Sequence, residues 1–410
     1  MKLSGLVLSL SLMSLLESTA AYPGMKNTIQ EIQRRDVELR ERRFLAREQE
    51  KRQAEAPDDP EAPEAPEAPE GGDNDDGSTA PVLIGDLMDG GTTPVGKTIA
   101  RILMKTEQGQ SLEAGYKPPL LGTQACKKDT CCVWQYISAA MTLAFRGPSG
   151  RCNKYARQAI RLGFHDAGTW SVPNKNAGKD FGGADGSIAL SKTEINRAEN
   201  NGLQDIIGKA RVWQKTFGVG MADLIQFAAI HAVVSCPLGP RIRVFVGRKD
   251  SSKEAPDGLL PGVNDSADKL IQLFEDKTIP PHDLTALLGA HTTSEQFFVD
   301  PKRKGAPQDG TPGVWDTLFY NQTLGTGPLP KQVFRFPSDI AIANDPRARS
   351  EWESFSGPGG QSHWNEDYAW AYTRLSMLGV NNMNNMTECT KVLPMPQTTF
   401  KGAGELLKSE

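Results

Sequence analysis

Apolar residues recur three and four positions apart through most of the chain beyond residue 119. That spacing predicts helices over 133–145, 154–164, 202–216, 221–234, 267–274, 284–291, 338–344, 348–355 and 364–378. Alternation of the kind a half-buried strand needs is nearly absent, with 241–246 the main exception. The pattern therefore predicts a mainly α domain with little β over 119–400, roughly 280 residues and enough for a substantial core. A short tail, 401–410, follows it.

Upstream the pattern weakens. Lys2 precedes the apolar run LSGLVLSLSLMSLL and the small residues Ser18, Thr19, Ala20 and Ala21. A charged start, a short apolar stretch and a small-residue site predict a cleaved signal peptide over 1–21 and a secreted protein. Residues 22–54 mix both charges with sparse Ile, Val and Leu, which predicts a solvated arm, helical or disordered. Repeated EAP triplets make 55–80 an acidic, extended linker. An extension, 81–118, is ambiguous beyond one short helix expected over 95–104.

Charge and cysteines narrow the class. The whole chain carries a formal −4. Residues 55–76 hold ten acids and no base, so the remainder is mildly basic. Neither value suits a nucleic-acid binder, and no apolar run past the first 20 residues is long enough to span a bilayer. Six cysteines (126, 131, 132, 152, 236 and 389) in a secreted chain predict three disulfides, with 15 connectivities open. Sequons at Asn264, Asn321 and Asn385 offer N-glycan sites.

The five histidines carry the candidate chemistry. In RQAIRLGFHDAG, Arg161 and His165 stand four apart and share a helix face. A fixed cation beside an imidazole keeps the ring neutral and able to accept a proton. In LTALLGAHTTSEQF, His291 ends a helix of small and apolar residues, a setting for a core histidine or for an axial ligand in an apolar cavity. Its distance from His165 is too long for a local zinc motif.

RLGFHDAG, GGADGSI, SCPLGPRIRVFVGR, LLGAHT and DGTPGVWD, in this order, resemble the secreted fungal class II haem peroxidases of the plant peroxidase superfamily. The resemblance runs from about Cys126 to Leu393. It implies two helical halves sandwiching haem b, and the pairs Cys126–Cys132, Cys131–Cys389 and Cys152–Cys236. It makes Arg161 and His165 the distal pair, with Phe164 beside the haem and Asn200 orienting His165. Glu194 stands behind them. His291 becomes the iron ligand, with Asp339 on its other ring nitrogen. Two calcium sites are implied. Asp166, Gly183, Asp185 and Ser187 form one; Thr292, Asp309, Thr311, Val314 and Asp316 form the other. The implied partners are hydrogen peroxide and small aromatic electron donors, with no nucleic acid, no membrane insertion and a monomeric chain.

Departures from the family narrow the donor class. The acidic manganese-binding positions fall on Lys154, Gln158 and Phe297. The exposed radical-relay tryptophan falls on Ala286, and Gln308 replaces a large aromatic under the haem. A fourth disulfide of the family has no cysteines here, which predicts a less stable or differently packed C-terminal part. A generic peroxidase of phenols, aromatic amines and dyes is expected. The alternative is a haem-binding or cell-wall-associated protein with the same fold and little turnover.

Overall fold

The computed structural model describes residues 81–325 and 329–399. The signal peptide, the charged arm, the whole acidic linker and the 401–410 tail lie outside the described residues. Among the described residues, eleven longer helices carry the fold: α1 (Pro94–Leu103), α2 (Thr130–Phe145), α3 (Lys154–Ala167), α4 (Gln204–Phe217), α5 (Met221–Ser235), α6 (Ala267–Glu275), α7 (Pro281–Leu288), α8 (Leu318–Leu324), α9 (Pro337–Asn344), α10 (Pro346–Ser356) and α11 (Gly360–Leu375). Two antiparallel ribbons of two-residue strands complete it: β1 (Phe245–Val246) with β4 (Thr387–Glu388), and β2 (Glu295–Gln296) with β3 (Ala306–Pro307).

The strand expected over 241–246 shrinks to β1. Arg241 explains the loss. Its guanidinium is buried and donates to the carbonyls of Ser111, Thr390, Leu393 and Pro394, stapling the C-terminal segment where a ladder would otherwise run. The helix expected over 284–291 starts earlier and changes character. It is α from Pro281 to Leu288, then tightens to a 3₁₀ turn over Gly289–Thr293 that carries His291.

The 81–118 extension belongs to the core. Leu87, Ile99, Ile102 and Leu103 are buried, and α1 packs on α11. Asp86 accepts from the backbone N–H groups of Met383 and Asn384 at 2.7 and 3.0 Å. Arg374 on α11 donates to the carbonyls of Val82 and Leu103.

One group of helices, α2–α5, holds His165; the other, α6–α11, holds His291. α5 is buried along its whole length, as expected of an apolar helix at the centre of a domain. No single helix among the described residues is long and apolar enough to cross a membrane. All three implied disulfides form: Cys126–Cys132, Cys131–Cys389 and Cys152–Cys236. The first joins neighbouring turns, the second ties α2 to the C-terminal segment, and the third joins the entry to α3 with the exit of α5.

A glycine lies two residues before each of the two histidines, and both are needed for close packing. A Cβ on Gly163 would come within 2.2 Å of the Tyr372 hydroxyl and 2.5 Å of Ala229 Cβ. A Cβ on Gly289 would meet the Tyr320 hydroxyl at 2.3 Å and the Trp364 ring at 2.4 Å. Gly208, inside α4, faces open space. Gly163→Ala and Gly289→Ala should each destabilise the domain by about 1–3 kcal/mol through overpacking. Gly208→Ala should stabilise it by up to about 1 kcal/mol through helix propensity. Urea-unfolding midpoints check both signs; equal shifts at the three positions would contradict the packing described.

Candidate active site

α3 begins at Asn153, whose side chain caps the N–H groups of Tyr155 and Ala156. From that fixed start, one helical turn brings Arg161 and His165 together. Arg161 Nε–H donates to His165 Nε2 at 3.1 Å. His165 Nδ1 donates to Asn200 Oδ1 at 2.8 Å. The other two Arg161 nitrogens donate to the carbonyls of Asn201 and Glu199. Arginine, imidazole and the 199–201 turn thus form one rigid unit. Asn200 is in turn held by its amide, which donates to the Glu194 carbonyl at 2.8 Å. Glu194 supports the pocket through its backbone; its carboxylate accepts from Ala255 N–H.

Burial, and then the Arg161 charge, hold His165 at about 3. The sequence pattern pointed to the arginine, whereas removal from water is the larger cause. Arg161 is pushed down to about 10 by burial and remains a cation at neutral pH. Phe164 meets the His165 ring edge-on at 5.5 Å and stacks on Phe274 at 5.9 Å.

In the other half, His291 Nδ1 donates to Asp339 Oδ2 at 3.0 Å. Asp339 sits in the first turn of α9, where a helix favours negative charge. It is 1% exposed, whereas the His291 side chain retains 34%. Phe319 and Phe336 meet the imidazole edge-on, both at 5.6 Å. With Nδ1 committed, Nε2 is the nitrogen left for a metal. An imidazole backed by a buried carboxylate and walled by phenylalanines fits the axial ligand of a haem.

Two buried acidic clusters adjoin these histidines. Asp166 accepts from Gly186 N–H through Oδ2, and its Oδ1 is buried with no donor. Burial, then the charges of Asp185 and Glu194, push its carboxyl well up; burial also raises Asp185. Gly183 N–H donates to Thr169 Oγ1, which donates to the Asp166 carbonyl, tying the 183–187 loop to the end of α3. Ser187 is buried and donates its N–H to Asp185 Oδ1.

The second cluster surrounds Thr292. Its hydroxyl donates to Asp309 and lies 3.4 Å from the Val314 carbonyl and 3.5 Å from Asp316 Oδ1. Thr311 donates its hydroxyl to Asp316 and its N–H to Asp309. Burial pushes Asp316 up to about 6, and burial together with Asp316 raises Asp309 well beyond the ordinary range. Paired buried carboxylates among carbonyl and hydroxyl oxygens fit a hard divalent cation.

The positions that departed from the family pattern are also placed. Lys154 lies 3.9 Å from Asp205, Gln158 donates to the Gly202 carbonyl, and Phe297 is exposed. Ala286 is buried, and its carbonyl accepts from Trp364 Nε1. Gln308 is buried; its Oε1 accepts from Ser294, while its Nε2 has no partner.

A family model described as peroxidase matches residues 134–357. A ligninase of Phanerodontia chrysosporium is 34% identical over 284 residues, covering 65% of this chain and 75% of that protein. A versatile peroxidase of Pleurotus eryngii is 31% identical over 300 residues, covering 68% and 79%. A peroxidase of Arthromyces ramosus is 32% identical over 291 residues, covering 67% and 78%. With its helical fold, its two partnered histidines and these relatives, the chain belongs to the peroxidase family, as a fungal class II haem peroxidase that uses hydrogen peroxide to oxidise organic donors.

Proposed function

We propose that His165 and Arg161 activate hydrogen peroxide while His291 holds the iron of haem b. The observation carrying this reading is the pair of imidazoles whose Nδ1 atoms are both committed, to Asn200 and to Asp339. Bound haem would supply the one-electron redox chemistry. The rest is the work of the chain. His165 stays neutral near pH 7, and its Nε2, whose lone pair accepts from Arg161 Nε–H in the resting site, would exchange that donor for hydrogen peroxide and take its proton. Asn200 keeps the other proton on Nδ1 and prevents the ring from turning. His165 then returns the proton to the oxygen that leaves as water, a general base and then a general acid. Arg161 is fixed by two backbone carbonyls, so its guanidinium holds its place while the Nε–H turns from His165 to the developing negative charge. Asp339 orients His291 and raises its basicity. Phe164 packs beside the distal imidazole.

Asp166, Gly183, Asp185 and Ser187 would bind one calcium ion. Thr292, Asp309, Thr311, Val314 and Asp316 would bind another. Each ion would fix the segment bearing one histidine, since Asp166 follows His165 and Thr292 follows His291.

The donors are phenols, aromatic amines and dyes oxidised near the haem. Lys154, Gln158 and Phe297 supply no acidic triad for manganese. A buried Ala286 offers no surface relay, and all seven tryptophans are at least half-buried. The protein is a secreted monomer, with the catalytic domain beginning near residue 81 because the extension fills its core. Asn264 and Asn385 are exposed and suited to glycans. Asn321 is not, because its amide donates to the Ser356 carbonyl from within α8.

Two experiments test these assignments. His165→Ala should retain haem but activate peroxide about 10²–10⁴-fold more slowly, read by stopped-flow absorbance of the haem band. A near-normal rate would overturn its role. A wild-type protein that binds haem yet shows no peroxide-driven spectral change would be a haem binder without turnover. For calcium, metal analysis of the haem-loaded protein should find two ions per chain, with Asp166→Asn and Asp309→Asn each losing one. Chelation should lower the melting temperature and calcium should restore it. Calcium-free protein of unchanged stability would refute the cation sites.

A further inference from the structure

Three helices of the half that carries His291 bring four metal-ligating side chains to one place. His282 lies at the start of α7, Glu351 on α10, and His363 and Asp367 one turn apart on α11. None of the four takes part in the haem or calcium assignments. One ligand atom from each falls within a 4.8 Å cluster.

The arrangement fits a metal site in four respects. His282 Nε2 lies 3.4 Å from Glu351 Oε2 and 3.6 Å from Asp367 Oδ2. His363 Nε2 lies 3.5 Å from Glu351 Oε1 and 2.9 Å from Asp367 Oδ2. Four ligands about 2.05 Å from a tetrahedral zinc ion stand about 3.3 Å apart; the four ligand atoms lie within 4.8 Å of one another, so the widest pair would close by up to about 1.5 Å on binding.

Each imidazole is also held from behind. His282 Nδ1 is 3.1 Å from Asp283 Oδ1, which also accepts from Lys105 Nζ at 2.6 Å; the same Nζ lies 3.4 Å from Nδ1. His363 Nδ1 is 2.8 Å from Ser354 Oγ. With Nδ1–H donated to Asp283 and to Ser354, both Nε2 lone pairs would be free for an ion lying between them and the carboxylates, as in carboxylate–histidine–metal arrangements.

The carboxylates themselves call for a cation. Asp367 Oδ2 and Glu351 Oε1 are buried oxygens, and His363 Nε2, at 2.9 Å and 3.5 Å, is the donor-type atom beside both; once it ligates a metal, neither oxygen keeps a donor from that ring. The Asp367 side chain is only 5% exposed. Metal ligation requires both imidazoles neutral; the two carboxylates then leave −2, which one divalent ion neutralises. Finally, the His363 side chain is 43% exposed, giving an ion a way in.

We propose that His282, His363, Glu351 and Asp367 bind a divalent transition ion of the zinc type, clamping α7, α10 and α11 together. Two imidazoles exclude a preference for calcium or magnesium, which favour all-oxygen sites. The ion would be structural: α7 leads directly into the turn that carries His291, so the clamp would brace the ligand-bearing segment.

The test uses the haem-loaded full chain, stripped by chelator and resupplied with calcium to fill the oxygen-rich clusters. Titration with zinc sulfate, followed by calorimetry, should show one ion per chain with micromolar or tighter affinity. Zinc-edge X-ray absorption should report two imidazole nitrogens, and zinc should raise the melting temperature. His363→Gln, at a partly exposed position, should keep the haem spectrum and weaken zinc binding at least about 100-fold, since losing an outer-shell partner alone costs about 10–100-fold. His282→Gln should do the same. No stoichiometric zinc in the wild type, or equal affinity in both variants, would overturn the proposal; the cluster would then be a quartet of ion pairs. Peroxide turnover is not a readout here, so the haem assignments stand or fall separately.

Discussion

The structure depends on holding an imidazole by its Nδ1. Asn200 does this for His165 and Asp339 does it for His291. An imidazole so held cannot turn its ring, and the proton is kept on the anchored nitrogen. The chemistry is then assigned to Nε2 in both halves. The two anchors differ in charge. A neutral amide leaves His165 a weak base that burial keeps unprotonated. A buried carboxylate makes His291 a stronger electron donor toward a metal. His231 supplies the contrast. Its Nδ1 lies 3.2 Å from Ser235 Oγ and its Nε2 3.2 Å from Thr142 Oγ1, so both nitrogens are satisfied and the residue is a packed core histidine.

The anchors come from distant parts of the chain, and packing brings them in. Asn200 lies 35 residues beyond His165, and Asp339 lies 48 beyond His291. Gly163 and Gly289 let the histidine-bearing segments approach α5, α8 and α11 without a Cβ in the way. Tyr372 joins the two groups of helices, donating from α11 to Gln226 on α5 at 3.1 Å while lying against Gly163. The buried carboxylates beside each histidine are costly in a low-dielectric interior unless a cation accompanies them. The same reasoning connects the acidic clusters to the stability of both helical groups.

Local periodicity made the helices legible, together with the shared face of Arg161 and His165. It could not show that Asn200 and Asp339 meet the histidines; only the resemblance to class II peroxidases reached those residues, and likewise the disulfide pairing. The extension over 81–118 looked ambiguous because its apolar residues keep a regular spacing only over one short helix, although tertiary packing buries Ile84, Leu87, Ile99, Ala100, Ile102 and Leu103. Alternation over 241–246 misled because Arg241 and Arg243 turn inward to partners: Arg241 binds carbonyls, and Arg243 pairs with Glu107 and Glu388. The one available signal for the close-packed glycines was their repeated place two residues before each histidine. The cluster of His282, Glu351, His363 and Asp367 left only an i, i+4 pair in the sequence, because its ligands come from three helices.

The buried Asp339 carboxylate anchors His291, the histidine proposed to hold iron. The iron–histidine stretching band in the resonance Raman spectrum of the ferrous, haem-loaded protein reads this directly. The wild type should show a band that is lost in His291→Ala and moves to lower frequency in Asp339→Ala, where the ring loses its acceptor. A band that survives in His291→Ala, or stays in place in Asp339→Ala, would contradict it.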